Sequence, residues 1–275
     1  MELYDAIFYR KSTRSYSNKK VIGKLMDEVK EVCCEIADSN GDLNIKANVV
    51  ERGHLIHLSM GKKLKLKAPH YIIVTCKKGE DYLQNVGFAI EEIVLQLTTL
   101  GLATCWVECD LKTEDVTEFT REKEYEYTRK NDTSEGEQED EYEIEKEEPV
   151  ILIAFGYPEE SEVLFRDEEK QLDRKSIKQI CKKVDKEYEF IMEAIRLSPS
   201  FKNSQPWVLY KSVDGFNVYE EKQKKNNVNM SKISLGIALK HLDLACKKHG
   251  LSVNYEKQKC KKKIGKVYYT SAIIK

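Results

Sequence analysis

The chain has 275 residues, enough for one large domain or two small ones, and its 46 Lys+Arg against 47 Asp+Glu give a net charge of -1. That balance implies no nucleic-acid and no membrane partner from the global charge. The first sixteen residues hold no continuous apolar core and no stretch approaches a spanning length, so neither a secretory signal nor a transmembrane helix is expected. The eight cysteines (33, 34, 76, 105, 109, 181, 246, 260) show no CxxC spacing. They read as reduced thiols of a cytoplasmic protein rather than a disulfide framework. Cys105 and Cys109 lack a second Cys or His pair at ligand spacing, so no metal site is expected.

In chain order, apolar periodicity predicts helices at 2–9, 22–38, 84–101, 176–182, 186–197 and 231–249. Short β-branched or aromatic runs predict strands at Tyr71–Cys76, Ala103–Val107, Val150–Phe155, Val208–Ser212, Phe216–Tyr219 and Tyr268–Ile274. Alternation of the two types implies an α+β sandwich, a mixed, mainly antiparallel sheet covered by helices. The stretch 118–148 is almost wholly charged or polar and is expected to be an acidic mobile insertion.

Two glycine-bounded helices resemble each other. Gly87 and Gly101 are fourteen apart, as are Gly236 and Gly250, and both runs end in Gly-Leu. Echoes also link Asp5-Ala6-Ile7 with Glu193-Ala194-Ile195, and Pro69–Ile72 with Pro206–Leu209. The expected organisation is a first half at 1–117, the insertion at 118–148, a connecting segment at 149–184 and a second half at 185–275.

Two segments carry chemistry. Arg10-Lys11-Ser12-Thr13-Arg14-Ser15 follows the first helix and packs three cations and three hydroxyls together. Arg offers a planar fork of donors, Lys a point charge and Ser a neutral donor, which suits a phosphate dianion. Ser198–Trp207 is rich in small polar residues and amides, able to border a flat heterocycle. A phosphate end and a ring end together suggest a nucleotide-like cofactor.

Both segments, with Ala68–Val74, Asn85–Val107, Ile153–Pro158 and Ala194–Tyr210, resemble the nitroreductase family of FMN-dependent oxidoreductases. The late position of the serine-proline segment is similar to a single-chain subgroup. Ordinary family members are homodimers that share the flavin between subunits; the resemblance implies that the two halves here form an internal pseudo-dimer, a monomer with one FMN site. It assigns Arg10, Lys11, Ser12 and Arg14 to the phosphate and Pro199, Ser200, Asn203 and Gln205 to the ring. Arg174 with Lys175, or less closely Arg166, matches a further basic pair on the phosphate. Glu108 and Cys109 stand where the family's backbone approaches the flavin. Their presence departs from the usual glycine pair or Glu-Gly.

The resemblance implies hydride transfer from NADH or NADPH through FMN to a small-molecule electron acceptor such as a nitroaromatic or quinone. No catalytic acid, base or nucleophile is expected, because the cofactor does the chemistry. His54 and His57 read as surface or packing residues. The alternatives are a flavin-binding carrier or sensor without turnover, and oxidative or dehalogenating chemistry on the same scaffold.

Overall fold

The computed structural model describes residues 1–38, 44–119, 147–167 and 172–275. Most of the expected mobile insertion, 120–146, lies outside the described residues; its last residue, Glu148, opens a strand. In order, the elements are α1 (Leu3–Tyr9), α2 (Lys24–Asp38), β1 (Lys46–Val50), α3 (Gly53–Met60), β2 (His70–Cys76), α4 (Tyr82–Thr99), β3 (Ala103–Glu108), β4 (Glu148–Gly156), α5 (Ile177–Ile180), α6 (Glu189–Leu197), β5 (Trp207–Lys211), β6 (Gly215–Glu221), α7 (Val228–Lys248), β7 (Val253–Glu256) and β8 (Lys266–Ile274).

The strands form two four-stranded sheets, ordered β1-β2-β4-β3 and β5-β6-β8-β7. Every ladder is antiparallel; the one parallel contact described is an isolated bridge, Cys181 to Leu209. The expected sandwich is therefore built on two sheets instead of one. Their orders are identical, with the second strand paired to the fourth. Each central pair also slips register once, at Val74/Thr75 in the first sheet and at Val218/Tyr219 in the second. A long helix joins strand two to strand three in both, α4 in one and α7 in the other. This is an α+β architecture, duplicated within one chain.

The topology corrects two of the sequence echoes. Pro69–Ile72 leads into β2, a second strand, whereas Pro206–Leu209 leads into β5, a first strand. Likewise α6 directly precedes the first strand of its sheet, so its positional counterpart is α2 and not α1. Those resemblances reflect shared apolar spacing rather than equivalent places in the fold. The strands β1 and β7 and the helix α3 were absent from the sequence expectation. Both strands are sheet edges with interrupted apolar patterns (KANVV and VNYE), and so lack the continuous run that marks β2.

The chain divides into two compact units. One comprises Met1–Ser12, Leu83–Leu102 and Val163–Lys275, the other Thr13–Tyr82 and Ala103–Glu162. In the second of these, β2 is buried along all seven residues, and Tyr71 and Ile73 join Ile56, Leu152 and Ala154 in its core. The Tyr71 hydroxyl donates to the Leu66 carbonyl at 2.9 Å, and burial pushes its pKa up to about 12. His57 meets the Tyr71 ring edge-on, while His70 stacks on Phe155 and accepts from the Val21 amide at 2.9 Å. Both histidines are packing residues.

The other unit is built around α7, buried over most of its length, with α1, α4 and α6 against it. The helices α4 and α7 approach through their paired glycines. A methyl group at Gly87 would stand 2.1 Å from the Ile233 carbonyl oxygen, and one at Gly236 would stand 1.9 Å from that of Gln84. Gln84 lies three residues before Gly87, as Ile233 lies three before Gly236. The contact is thus reciprocal, glycine on each helix against the same position of the other. That is the signature of a two-fold interface between equivalent elements.

The polar pairs one turn further on obey the same rule. Glu91 accepts from or donates to His241 Nε2 at 2.9 Å, and Lys240 Nζ donates to Glu92 at 2.7 Å. Glu91 and Glu92 follow Gly87 by four and five residues, as Lys240 and His241 follow Gly236. Each position meets the neighbouring position of the other helix. The two-fold is broken only in chemistry: both acids stand on α4 and both bases on α7. His241 is fixed further by the Ala194 carbonyl, which accepts from its Nδ1 at 2.9 Å, and Lys240 lies 4.0 Å over the Phe88 ring.

Candidate functional site

Helix α1 starts with a reciprocal cap between Glu2 and Asp5 and ends at Arg10, whose backbone turns extended. The chain leaves α1 with Arg10 nearly enclosed, 3% exposed, and its guanidinium donating to Ser12 Oγ at 3.2 Å. Its Nη1 is buried with no partner among the described residues. An orphan donor on a buried cation is costly unless an anion completes it.

Three more arginines converge on this place. Arg166 is tied backbone to backbone, its amide donating to the Tyr9 carbonyl at 2.7 Å, and its guanidinium donates to the Arg10 carbonyl at 2.8 Å. Arg174 donates to Asn203 Oδ1 and leaves its Nε buried and unpartnered. Arg196, on α6, is held by Glu193 through two bonds, at 2.7 and 2.5 Å. Burial first, and then the mutual repulsion of these cations, pushes Arg166 and Arg174 down to about 10. Glu193 is the acid engaged with Arg196. The cluster therefore carries positive charge in excess, and a guanidinium does not shed its proton at neutral pH. Such an excess of positive charge suits an anion.

The second segment is strained. Between Ser200 and Gln205 three residues other than glycine hold positive φ: Lys202 at 50°, Asn203 at 56° and Gln205 at 46°. Each costs on the order of 1 kcal/mol, and such clusters persist where the surroundings over-determine them. The determinants are visible. The Gln205 amide nitrogen of the backbone donates to Ser200 Oγ at 3.0 Å, Gln205 Oε1 accepts from the Lys175 backbone at 2.7 Å, and Asn203 Nδ2 donates to the Asp173 carbonyl at 2.8 Å. Lys175 Nζ bridges the Gln205 carbonyl and Glu221, both at 2.9 Å. The amides expected to face a ring are thus engaged in fastening the segment to residues 173–175. Buried beneath are Pro199, Ser198 and Trp207; among the described residues the Ser198 hydroxyl and the Trp207 indole N–H have no partner.

Eight of the expected residues, Arg10, Lys11, Ser12, Arg174, Pro199, Ser200, Asn203 and Gln205, lie in one compact unit. The bond from Arg174 to Asn203 joins the serine-proline segment to residues 173–175. Lys11 is half-buried, and Lys175 is tied to Gln205 and Glu221. Arg14, Glu108 and Cys109 belong to the other unit; Arg14 and Glu108 are exposed. Burial pushes the Cys109 thiol up to about 11, which keeps it protonated and unsuited to ligate or attack. Among the described residues no group of three or more His, Cys, Asp or Glu could hold a metal ion.

Sequence reasoning gave Arg166 second place and missed Arg196. Arg196 sits amid a helix that reads as core, so only its placement reveals it. Beside the cluster lies a cavity of about 850 Å³ lined by Met1, Asp5, Phe8, Tyr9, Arg166, Leu172, Glu193, Arg196 and Leu197. Its wall sets the apolar Met1, Phe8, Leu172 and Leu197 beside the charged Asp5, Arg166, Glu193 and Arg196.

The family described as "Putative TM nitroreductase" matches residues 2–129 and 132–246. A solved structure of a "putative nitroreductase" from Thermotoga maritima is similar at 21% identity over 100% of this chain and 93% of its own, with a TM-score of 0.58. An FMN-dependent nitroreductase of Clostridium difficile matches at 22% identity over 61% of this chain and 93% of its own, TM-score 0.40. A nitroreductase with bound FMN from Bacteroides fragilis matches at 20% over 63% and 95%, TM-score 0.41. No curated protein matches. The fold is shared with the Thermotoga structure, and the family match spans both halves. This chain belongs to that nitroreductase family and is an oxidoreductase.

Proposed function

We propose that the chain binds one FMN and carries hydride from NADH or NADPH to a small electron acceptor such as a nitroaromatic or quinone. The observation that supports this most is the cluster of Arg10, Arg166, Arg174 and Arg196 with two buried, unpartnered guanidinium nitrogens. A phosphate dianion supplies the acceptors those nitrogens lack and relieves the repulsion among the cations. The residues present fit that group. Arg10, Ser12, Arg166 and Arg174 would hold the phosphate, with Lys11 and Arg14 as further expected contributors. Pro199 and Ser200 would border the ring, while Asn203 and Gln205 fix the strained segment that presents them. Glu108 and Cys109 are the expected backbone neighbours of the flavin's reactive side.

When bound, FMN would supply the hydride-transfer chemistry between nicotinamide and acceptor. The chain's part is to anchor the phosphate by charge-assisted bonds, to hold Ser200 in place and to exclude water with Phe8, Leu172 and Leu197. No protein group has to move a proton. One chain, acting as its own dimer, carries the whole site, and a cytoplasmic setting agrees with eight free cysteines.

Flavin titration tests the reading. Saturable FMN binding at micromolar concentration, about −8 kcal/mol, is expected, and anaerobic NADH or NADPH then bleaches the flavin absorbance. Absence of binding would overturn the proposal. Binding without bleaching by either nucleotide leaves a flavin carrier or sensor.

A further inference from the structure

Charge balances over the chain but is sharply segregated along it. Residues 201–275 hold sixteen lysines, no arginine and five acids, whereas the acids concentrate at 118–148. The lysines gather in two segments, 222–225 and 257–266, which the fold joins: the Lys222 amide donates to the Gly265 carbonyl at 2.9 Å.

This is an ordered surface. The connection between β7 and β8 is pinned by buried groups on the sheet beneath. The Tyr219 hydroxyl donates to the Lys261 carbonyl at 2.7 Å, and the Gln258 amide donates to the Tyr268 hydroxyl at 2.8 Å. Tyr268 in turn meets Ser271 Oγ at 2.8 Å, and Ser271, fully buried, donates to Asn217 at 2.6 Å. Holding the backbone down turns the side chains of Lys259, Lys261 and Lys262 outward, beside Lys222, Lys224 and Lys225. Among the described residues none of these six has an ion pair, and Lys263 lies 4.4 Å over the Tyr210 ring.

At the apex of the connection, between Lys263 and Gly265, stands Ile264 with its whole side chain in solvent, 101% exposed; Val267 follows at 53%. Two aliphatic side chains thus stand in solvent among the lysines. Phosphodiesters of a nucleic acid would engage the lysines and leave Ile264 in water. An anionic bilayer takes both, headgroups meeting the ammonium groups and the acyl boundary receiving the isoleucine.

We propose that this face, lysines 222–225 and 257–266 around Ile264, docks the protein reversibly on a bilayer rich in anionic lipid. None of these lysines, nor Ile264, is among the residues assigned to the cofactor, so the surface adds a location to the activity.

Vesicle co-sedimentation of the full chain tests this, using phosphatidylcholine with 30 mol% phosphatidylglycerol as probe. Binding is expected to fall at least tenfold between 50 and 500 mM salt, because exposed charges are screened. Lys261→Glu, Lys262→Glu and Lys263→Glu together should abolish it. Ile264→Asp, or Ile264→Ser with no change of charge, should weaken it several-fold. Lys261, Lys262 and Ile264 are exposed and Lys263 is half-buried over Tyr210, so an unshifted melting temperature checks folding. Equal binding to pure phosphatidylcholine, or no loss in the triple variant, would overturn the proposal. So would binding of single-stranded DNA that Ile264→Ser leaves intact, in a chain that ignores vesicles; the surface would then be a nucleic-acid site.

Discussion

The two repeats share a scaffold and divide the chemistry. Both have four antiparallel strands in the same order, a register slip in the central pair and a glycine-centred long helix. Yet α1, Arg10 and Ser12 precede the first sheet, and Arg166 and Arg174 follow it, whereas the strained Ser200–Gln205 segment introduces the second. What duplication left identical is what packing requires. What diverged is the polar sequence that leads into each sheet. The α4–α7 crossing shows both tendencies in one place, with glycines kept symmetrical and charges sorted by helix.

The sharpest way to break that comparison is at the glycines. Gly236→Ala places a methyl on the Gln84 carbonyl, so α4 and α7 must separate. We expect a loss of about 3 kcal/mol from overpacking, despite a helix-propensity gain of about 1 kcal/mol. Gly87→Ala should behave alike, since its contact is the mirror of the first. Denaturant unfolding of both variants checks this; a large effect in one and none in the other would end the symmetry argument.

Next comes the division of chemistry. Arg10→Ala removes a buried guanidinium that donates to Ser12 and whose Nη1 has no partner among the described residues. It should cost little stability while weakening FMN binding by about 2 kcal/mol, roughly 30-fold. Fluorescence titration measures the second and thermal melting the first. Unchanged affinity would place the phosphate elsewhere.

The smallest effect sharpens the sorting of charge. Lys240 is 6% exposed at its side chain and Glu92 31%, a partly shielded pair. A double-mutant cycle with Glu92→Gln and Lys240→Met should give a coupling of about 1 kcal/mol. Coupling near zero would mean that the pair only fills space between Phe88 and solvent.

How much of this could be read from the sequence depended on whether a feature is local. The long helices and central strands were legible because their apolar periodicity is continuous, as in the fully buried β2. The basic turn and the serine-proline segment were legible as composition. The edge strands β1 and β7 were not, since half-exposed strands interrupt the pattern. Paired glycines fourteen residues apart revealed the duplication, but equivalence of elements needed topology. Spacing alone matched Ala6 with Ala194 and Pro69 with Pro206, which the sheet order separates. Arg196 was illegible because its role depends on which face of α6 meets α1 and residue 166. Asn203 and Gln205 were found by type, but their partners in 173–175 lie some thirty residues away, beyond any local rule.

The central claim is that one chain holds a complete flavin site. Mixing an Arg10→Ala chain with a Pro199→Ala, Asn203→Ala chain tests it most directly. Each damages a different contribution, and if sites form between chains the mixture must contain some that are intact. With both contributions in the same chain, the mixture should bind no more FMN than the two variants measured separately. Recovery of wild-type affinity in a fraction of sites would show that flavin is shared between chains, and would contradict the account.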